Sequence, residues 1–395
     1  MSNTKAMKKM LGNMFVEIAD AIETGEFGKR IKIGLTTLGS EHGTENLVKG
    51  AELASKKNSN FEILLIGPKV ETSLEIVEAN TEEEMHKKME ELLDSGYIGA
   101  CVTMHYNFPI GVSTVGKVVT PGLGREMYIA TTTGTSSAHR TEAMIKNALY
   151  GIVAAKASGI ERPTVGILNV DGARQVERAL KELNAGGYEI NLGESTRSDG
   201  GCIMRGNDLL KGAVDVMVTD TLTGNIMIKI FSSYSTGGSY EALGYGYGPG
   251  IGEGYDRIIL ILSRASGVPV VAGALEYGGN LVKGNLKEIA KREFEKANRA
   301  GLKEILENIT KDSKKTSPSQ EEVTAPPKEI VTGSISGIDI MDLEDAVKVL
   351  WKEGIYAESG MGCTGPIVLV SEEKLNPSVE ILAKAGFVAK EGDVC

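Results

Sequence analysis

Short apolar runs alternate with amphipathic stretches from residue 30 onward. Ile31–Leu35 and Phe61–Gly67 are near-continuous apolar runs, and Glu45–Lys56 between them carries apolar residues at helical spacing. A strand, a helix and a second strand in this order predict a βαβ unit, whose parallel strands are joined by a right-handed crossover. The alternation continues with predicted helices at 85–93 and 141–158 and predicted strands at 98–104 and 127–132.

A second half with the same pattern begins after Glu161-Arg162-Pro163. Strands flanked by helices on both faces of a sheet are buried on both sides, which explains their continuous apolar character. The pattern therefore predicts an α/β protein with a parallel sheet. In this half we predict strands at 164–170, 188–194, 213–220, 257–262 and 268–272, and helices at 173–183 and 286–300.

The segments outside this alternation suggest a domain organisation. Residues 1–28 have the spacing of an amphipathic helix, whose apolar stripe must be covered by the body or by another subunit. Residues 310–328 are polar with three prolines, which is typical of a flexible linker. We therefore predict four parts: an N-terminal helix, a body at 29–309 with halves at about 29–160 and 161–309, the linker, and a small α/β module at 329–395. In this module we expect a strand at 329–331 and helices at 343–353 and 377–385.

Residues 235–255 combine glycine and tyrosine in alternation. Such a composition predicts no packed element and is costly to order. We expect either a mobile lid or partner-binding segment, or a surface loop without a special role.

Composition and charge exclude several classes of function. The 395 residues carry 43 Lys+Arg against 53 Asp+Glu, and no basic stripe with interleaved aromatic residues favours nucleic acid as a partner. No apolar run approaches the ~20 residues that cross a bilayer. The four cysteines are far apart and the four histidines are scattered, so neither a disulfide framework nor a metal site is predicted, and a reducing cytoplasm is the expected compartment.

A cysteine in a glycine-rich turn is the first candidate for chemistry. Cys363 lies in Gly360–Pro366, directly before the apolar run Ile367–Val370. Cysteine is a strong nucleophile at neutral pH, and glycines allow backbone N–H groups to approach a developing oxyanion. The alternative is an inert small residue in the turn before a core strand.

The loop after the strand at 213–220 is the second candidate site. Asp220, Asn225 and Lys229 follow that strand in a polar segment that contains Gly224. The carboxyl end of a parallel strand, where a helix begins, is a common place for anionic ligands in α/β folds. These residues therefore suggest a phosphate or acyl-phosphate site, and the alternative is an ordinary helix capped by Thr221 or Thr223.

The order of these motifs resembles a known family. The strand Ile167–Val170, the run Arg205–Asp220 and the turn Thr223–Ile226 with Lys229 are similar to the bacterial phosphate acyltransferase of phospholipid synthesis, over about Ile31 to Leu302. That enzyme converts an acyl thioester and phosphate into an acyl phosphate. The resemblance implies a three-layer, parallel-sheet fold of the type shared with phosphotransacetylase and isocitrate dehydrogenase.

The whole chain, including the Cys363 turn, resembles the alpha subunits of component C of glycine/sarcosine/betaine reductase complexes. This resemblance implies release of a two-carbon unit from the selenoprotein of the complex as acetyl phosphate. It also implies a beta subunit and selenoprotein A as partners, phosphate and acetyl phosphate as ligands, a homo- or hetero-oligomer, and no cofactor.

The chain departs from the acyltransferase around the acyl pocket. The segment His105–Pro109 replaces a glycine-asparagine-threonine turn, which leaves Asn107 as a candidate ligand for the acyl phosphate. The lysine expected soon after Asn169 is absent, and Arg174 is the nearby candidate for phosphate. These changes fit a different acyl donor.

The resulting hypothesis is phosphorolysis of an acetyl thioester on Cys363 by phosphate held near Asn225 and Lys229. Cys101, which the sequence places at a strand end near His105, is a second candidate for the acetyl group. Two other interpretations remain open at this point. The chain could be a stand-alone phosphotransacetylase that uses coenzyme A, or a non-catalytic scaffold for the beta subunit.

Overall fold

The computed structural model describes residues 12, 14–16, 18, 19, 22, 30–197, 200–315, 323–339, 342–362 and 365–388, without the side chains of 310–315, 361, 362 and 365. The described residues before position 30 are helical, and Phe15 and Ile22 are 70% and 81% exposed. The predicted N-terminal helix otherwise lies outside the described residues.

Twelve strands form one sheet in the body, in the order β3-β2-β1-β4-β12-β11-β5-β6-β10-β7-β8, with β9 also paired to β7. The strands are β1 (Ile31–Thr36), β2 (Phe61–Gly67), β3 (Glu75–Glu78), β4 (Ala100–Thr103), β5 (Val112–Val119), β6 (Glu126–Thr135), β7 (Thr164–Leu168), β8 (Asn191–Leu192), β9 (Ile203–Met204), β10 (Val216–Val218), β11 (Gly248–Ile251) and β12 (Ile259–Ile261).

The sheet is mostly parallel, and it reverses direction in its centre. Strand β11 is antiparallel to both β12 and β5, and β5 is antiparallel to β6. These three reversals mean that β1–β4 and β12 run opposite to β6, β7 and β10. The strands of the two halves therefore have their carboxyl ends on opposite sides of the sheet, a reversal that the prediction of a parallel sheet did not include.

Helices cover both faces of the sheet. In β2, Ile63 and Leu65 join the core on one face, whereas Leu64 and Ile66 join the core on the other. The predicted α/β class with three layers is thereby confirmed. The helices of the body are α1 (Gly43–Lys57), α2 (Glu82–Asp94), α3 (Arg140–Ala157), α4 (Ala173–Ala185), α5 (Gly206–Lys211), α6 (Thr221–Ser233), α7 (Val268–Lys283), α8 (Leu286–Arg299) and α9 (Leu302–Lys315).

The two faces are covered by different helices. Helices α1, α3, α4, α7, α8 and α9 contribute to the core on one face. Helices α2, α5 and α6 contribute to the cores on the other face. This division decides which candidate residues can meet.

Three predicted strands differ from the structure. Residues 268–272 begin helix α7, where Pro269 lies in the first turn and Val270, Val271 and Ala272 are buried. A short apolar run buried on all sides cannot be assigned to strand or helix by periodicity. The strand predicted at 188–194 is reduced to β8, and 329–331 are not in a strand.

The Tyr/Gly segment is not a surface lid throughout, because its last part forms the central strand β11. Gly248 has φ 85°, and a Cβ there would lie 1.7 Å from the carbonyl oxygen of Val115. Tyr247 is only 3% exposed. Glycine allows β11 to pass this close to β5, so composition that suggested a loop serves close packing instead.

The C-terminal residues form a small α/β unit with its own apolar core. It contains β13 (Gly333–Ile335), α10 (Leu343–Lys352), β14 (Ala357–Gly362), β15 (Gly365–Val370) and α11 (Leu375–Lys384). Its three strands pair antiparallel in the order β13-β15-β14. Helix α9 runs to Lys315, so helical structure extends past residue 310, where the linker was predicted to begin.

Candidate functional site

The start of helix α6 is fixed by Asp220, which follows strand β10. Asp220 is the N-cap, and its carboxylate accepts hydrogen bonds from the backbone N–H of Thr223 at 3.0 Å and from the Thr223 hydroxyl at 2.7 Å. The cap is therefore Asp220, and not Thr221 or Thr223 as the alternative interpretation proposed.

Arg140 joins Asp220 to a second carboxylate at this edge of the sheet. Its guanidinium donates to Asp220 at 3.0 Å and to Asp171 at 3.3 Å. Burial alone would raise the pKa of Asp220, but the hydrogen bonds from Thr223 and the charge of Arg140 outweigh burial and lower it. The Asp220 carboxylate is negatively charged, and both of its oxygens already accept hydrogen bonds. It is therefore suited to hold α6 in place, and not to bind the phosphate anion directly.

Asn225 and Lys229 lie one turn apart on the same face of α6. The Asn225 amide donates to the carbonyl oxygen of Thr132 in β6 at 2.9 Å. The approach of helix to strand is close, because a Cβ on Gly224 would lie 1.9 Å from the carbonyl oxygen of Thr131. The sequence Thr-Gly-Asn thus fixes Asn225 against the middle of the sheet.

Lys229 extends over the ring of Tyr247, with Nζ 5.4 Å from the ring centroid. The Lys229 side chain is exposed, and no ion pair joins it to any carboxylate in the described part of the chain. A cation that is not paired with a carboxylate, next to a side-chain amide on the same helix, can hold an anion. The structure therefore brings together two of the predicted phosphate ligands.

The other predicted ligands lie elsewhere. Arg174 is in the first turn of α4 and donates to Glu177 at 3.1 Å, on the face of the sheet opposite to α6. Asn107 is exposed in the connection between β4 and β5. No described contact joins either side chain to Lys229.

Cys101 is fully buried in β4, which contradicts an accessible acyl carrier at this position. Its Sγ lies 2.9 Å from where a Cβ on Gly34 would be, and the residue is 0% exposed. Burial raises the pKa of the Cys101 thiol, so the thiol form is favoured over the nucleophilic thiolate. Cys101 is a core residue inside β4, paired with Gly34 and Ile259 of the neighbouring strands, and not a residue at an accessible strand end as predicted.

Cys363 and Cys395 lie outside the described residues, and Cys202 is buried beside Glu177. Strands β14 and β15, which precede and follow Cys363 in sequence, pair up to Gly362 and Gly365. The Ser359 hydroxyl in β14 donates to Glu344, in the first turn of α10, at 2.8 Å. The hairpin is thus attached to the beginning of α10.

The same end of α10 contacts the body. Asp342 is the N-cap residue of α10, but its carboxylate does not cap that helix. It accepts instead from Gln175 at 3.0 Å and from Arg178 at 3.3 Å, both in α4. Because α4 and α6 cover opposite faces of the sheet, this docking does not bring the C-terminal unit against Asn225 or Lys229.

Two described clefts lie away from these residues. One of about 480 Å³ is lined by parts of α3, α8 and α9 and by the start of β5, and neither cleft includes a predicted site residue. Among the described residues, no three His, Cys, Asp or Glu side chains are arranged to hold a metal ion. Within the same part of the chain, no helix has the length and apolar character needed to cross a bilayer.

Sequence reasoning missed three residues that organise this region. Arg140, Thr132 and Tyr247 contact Asp220, Asn225 and Lys229 from 80, 93 and 18 positions away in sequence. No pattern in the sequence around Tyr247 indicates its contact with Lys229, because the contact depends on the strand order in the centre of the sheet. The glycine at 248 was the available sign of close backbone packing.

Comparison with known proteins gives the relationships of the chain. Residues 31–369 match the family described as fatty acid synthesis protein. A glycine/sarcosine/betaine reductase complex component C subunit alpha from Peptoclostridium acidaminophilum is 70% identical, over 97% of this chain and 99% of that protein. A phosphate acyltransferase from Thermotoga petrophila is 28% identical, over 51% of this chain and 67% of that protein.

One of the solved structures that the chain matches is the branched-chain phosphotransacylase from Enterococcus faecalis. It has 16% sequence identity and a TM-score of 0.44, and the match covers 64% of this chain and 99% of that one.

Proposed function

This chain belongs to the fatty acid synthesis protein family and to the alpha subunits of component C of glycine/sarcosine/betaine reductase complexes, and on this premise we propose that it transfers an enzyme-bound acetyl group to phosphate. Relatedness to phosphate acyltransferases supports the coarser statement, that the chain is an enzyme of acyl transfer to phosphate. The acetyl thioester and its position on Cys363 are the proposal.

The proposed step is phosphorolysis. An oxygen of hydrogen phosphate attacks the carbonyl carbon of the Cys363 thioester and forms a new C–O bond. The C–S bond then breaks, and its electron pair leaves with sulfur, which takes the proton that phosphate gives up. The products are acetyl phosphate and the free thiol, so no oxidant, reductant or cofactor is needed.

The observation that carries the proposal is the pair of Asn225 and Lys229. Lys229 offers a positive charge that no carboxylate of the described residues pairs with, and Asn225 is held one turn away on the same helix face. Phosphate is already anionic, so the reaction needs positioning and electrostatic stabilisation more than a general base. Backbone N–H groups of the glycine-rich turn around Cys363 are proposed to stabilise the oxyanion.

The C-terminal unit is proposed to carry the thiol between two positions. Its apolar core is separate from those of the body, and its docking through Asp342 is polar. Polar contacts at a surface are weak, at ~1 kcal/mol each, so a docked unit held by few of them can detach. We assign the contact with α4 to a resting position, from which the unit swings to α6 for transfer.

The proposed partners follow from the same assignment. The unit would receive its acetyl group from selenoprotein A, with the beta subunit of component C bound to the chain, in a homo- or hetero-oligomer in the cytoplasm. Asn107 stays as a proposed ligand for the acyl phosphate in the transfer position. Arg174, which lies on the opposite face of the sheet, is left out of that position.

Arsenate-dependent hydrolysis of acetyl phosphate tests the proposal. Arsenate replaces phosphate and gives an acyl arsenate that hydrolyses, so an active chain consumes acetyl phosphate. We expect activity in the assembled wild-type complex and its loss in Cys363→Ala, with the Cys202→Ala variant as a matched control that retains it. Full activity of Cys363→Ala would overturn the proposal.

The same assay separates the two other functions. Exchange of acetyl groups between coenzyme A and phosphate by the purified chain would indicate a stand-alone phosphotransacetylase. No arsenate-dependent hydrolysis by the purified wild-type chain, together with an activity of the other subunits that does not change when the chain is omitted, would indicate a scaffold.

A further inference from the structure

Tyr247 lies under the candidate phosphate site and takes no part in the proposed chemistry. Its ring faces Lys229 at 5.4 Å, within the ~6 Å at which an aromatic ring attracts a cation. The residue is 3% exposed, so one wall of the Lys229 environment is a buried aromatic surface. Because Lys229 itself is exposed, the attraction is of the size typical of exposed cation–π contacts.

The position of the ring is fixed by hydrogen bonds at both ends of the residue. The Tyr247 hydroxyl donates to Glu241 at 3.1 Å, and Glu241 also accepts from Ser266 at 2.9 Å. At the other end, the backbone carbonyl oxygen of Tyr247 accepts from the Thr132 hydroxyl at 2.8 Å. The ring therefore has little freedom to move away from Lys229.

Thr132 links this ring to the second candidate ligand. Its hydroxyl holds Tyr247, and its carbonyl oxygen accepts from the Asn225 amide at 2.9 Å. One residue of β6 thus sets the positions of the amide and of the platform under the ammonium group.

A second lysine, on the opposite face of the sheet, shows what is particular to Lys229. Lys117 also lies over an aromatic ring, that of Tyr245 at 4.2 Å, but it forms an ion pair with Glu126 at 2.7 Å. Lys229 has no such pair with a described residue. An aromatic ring can hold a lysine without neutralising its charge, which leaves the ammonium group available to an anion.

We propose that Tyr247 is a positioning residue, whose ring holds the Lys229 ammonium group where it binds the phosphate that accepts the acyl group. This inference rests on the proposed function of the Asn225 and Lys229 site. The ring carries the effect, and the hydroxyl serves to anchor the ring. Because Tyr247 acts on the ligand of phosphate, its loss is expected to raise KM for phosphate more than it lowers kcat.

The test measures KM for phosphate and kcat for acetyl phosphate formation by the assembled complex. Tyr247→Leu removes the ring, and we expect KM to rise by about 2–5-fold, the range of cation–π energies at exposed sites converted to an equilibrium constant. Tyr247→Phe keeps the ring, and its KM is expected to stay close to that of wild type and below that of Tyr247→Leu. An equal effect of both variants, or a fall in kcat with unchanged KM, would overturn the proposal.

A series of fluorinated phenylalanines at position 247 covers the case in which Tyr247→Leu does not fold. Fluorine withdraws charge from the ring face and weakens cation binding with little change in shape. KM should rise stepwise with the number of fluorine atoms. A flat series would contradict the role of the ring.

The variant Lys229→Met distinguishes failure of this inference from failure of the proposed function. With Lys229 absent, Tyr247→Leu should have no further effect on KM, because two residues that act through one contact are not additive. If Lys229→Met alone leaves KM and kcat unchanged, the phosphate site itself is wrong. If Lys229→Met is impaired and Tyr247→Leu is additive to it, only the positioning role is wrong.

Discussion

At the scale of single residues, the candidate site is built from side chains whose roles differ from their first interpretation. Asp220 was identified from its position after a strand, but its carboxylate caps α6 and pairs with Arg140. Asn225 and Lys229 could be predicted because one local segment contains both. Arg140 and Tyr247 could not, because they reach the site through tertiary contacts that no local pattern reports.

Asp208 gives a test of how buried carboxylates stabilise this half of the sheet. It is 0% exposed in α5 and accepts hydrogen bonds from Ser195, Thr196 and the Arg205 N–H. Burial alone would raise its pKa, but these hydrogen bonds lower it to about 2 from the usual 3.8. The stabilisation is therefore complete above the unfolded pKa and is lost as pH falls toward 2.

We expect Asp208→Asn to lower the free energy of unfolding by about 2 kcal/mol at pH 7, and the difference from wild type to shrink between pH 4 and pH 2. Urea unfolding at several pH values measures it. A difference that stays constant over this range would show that the charge of Asp208 contributes nothing.

At the scale of elements, the sequence predicts most helices and strands of the body but not the order in its centre. The predictions at 61–67 and 141–158 are close to β2 and α3 because their flanks and periodicity are distinct. Residues 248–251 were assigned to a loop, although glycine is required there for β11 to pass close to β5. Residues 268–272 were assigned to a strand because a buried helix start has the same apolar character.

Gly224 tests the contact between α6 and β6. A Cβ at this position would lie 1.9 Å from the carbonyl oxygen of Thr131, so Gly224→Ala must displace the helix from the strand. We expect a loss of about 1–3 kcal/mol in the free energy of unfolding, together with a weaker phosphate site, because Asn225 moves with the helix.

Gly206→Ala is the matched control, since no heavy atom lies within 4 Å of a Cβ there. Denaturant unfolding and KM for phosphate should be close to wild type in that variant. Equal stability of Gly224→Ala and Gly206→Ala would contradict the close approach of α6 to β6.

At the scale of the whole molecule, the unit that contains Cys363 and the candidate phosphate site lie on separate parts of the chain. The sequence predicts this division through the polar segment before the unit. It could not predict that Asp342 would dock the unit on α4, because the contact joins residues 164 and 167 positions apart. Nor could it show that α4 and α6 cover opposite faces of the sheet.

Asp342 tests the resting position of the unit. Asp342→Ala removes both hydrogen bonds to α4, and we expect the first turns of α4 and α10 to exchange amide hydrogens faster while the body core stays protected. Asp345→Ala is the control, since Asp345 pairs with Lys348 inside α10. Acetyl phosphate formation should persist in Asp342→Ala, and its abolition would mean that the docked position is the active one.

The most direct measurement of the central claim follows one turnover of the acetylated chain. The full chain is loaded with acetyl in the assembled complex, and the adduct is located by peptide mass spectrometry before and after phosphate is added. The account predicts an adduct on Cys363 that phosphate converts into acetyl phosphate, and a slowing of this conversion by about 10²-fold or more in Lys229→Met. An adduct on another residue, or equally fast release in Lys229→Met, would contradict it.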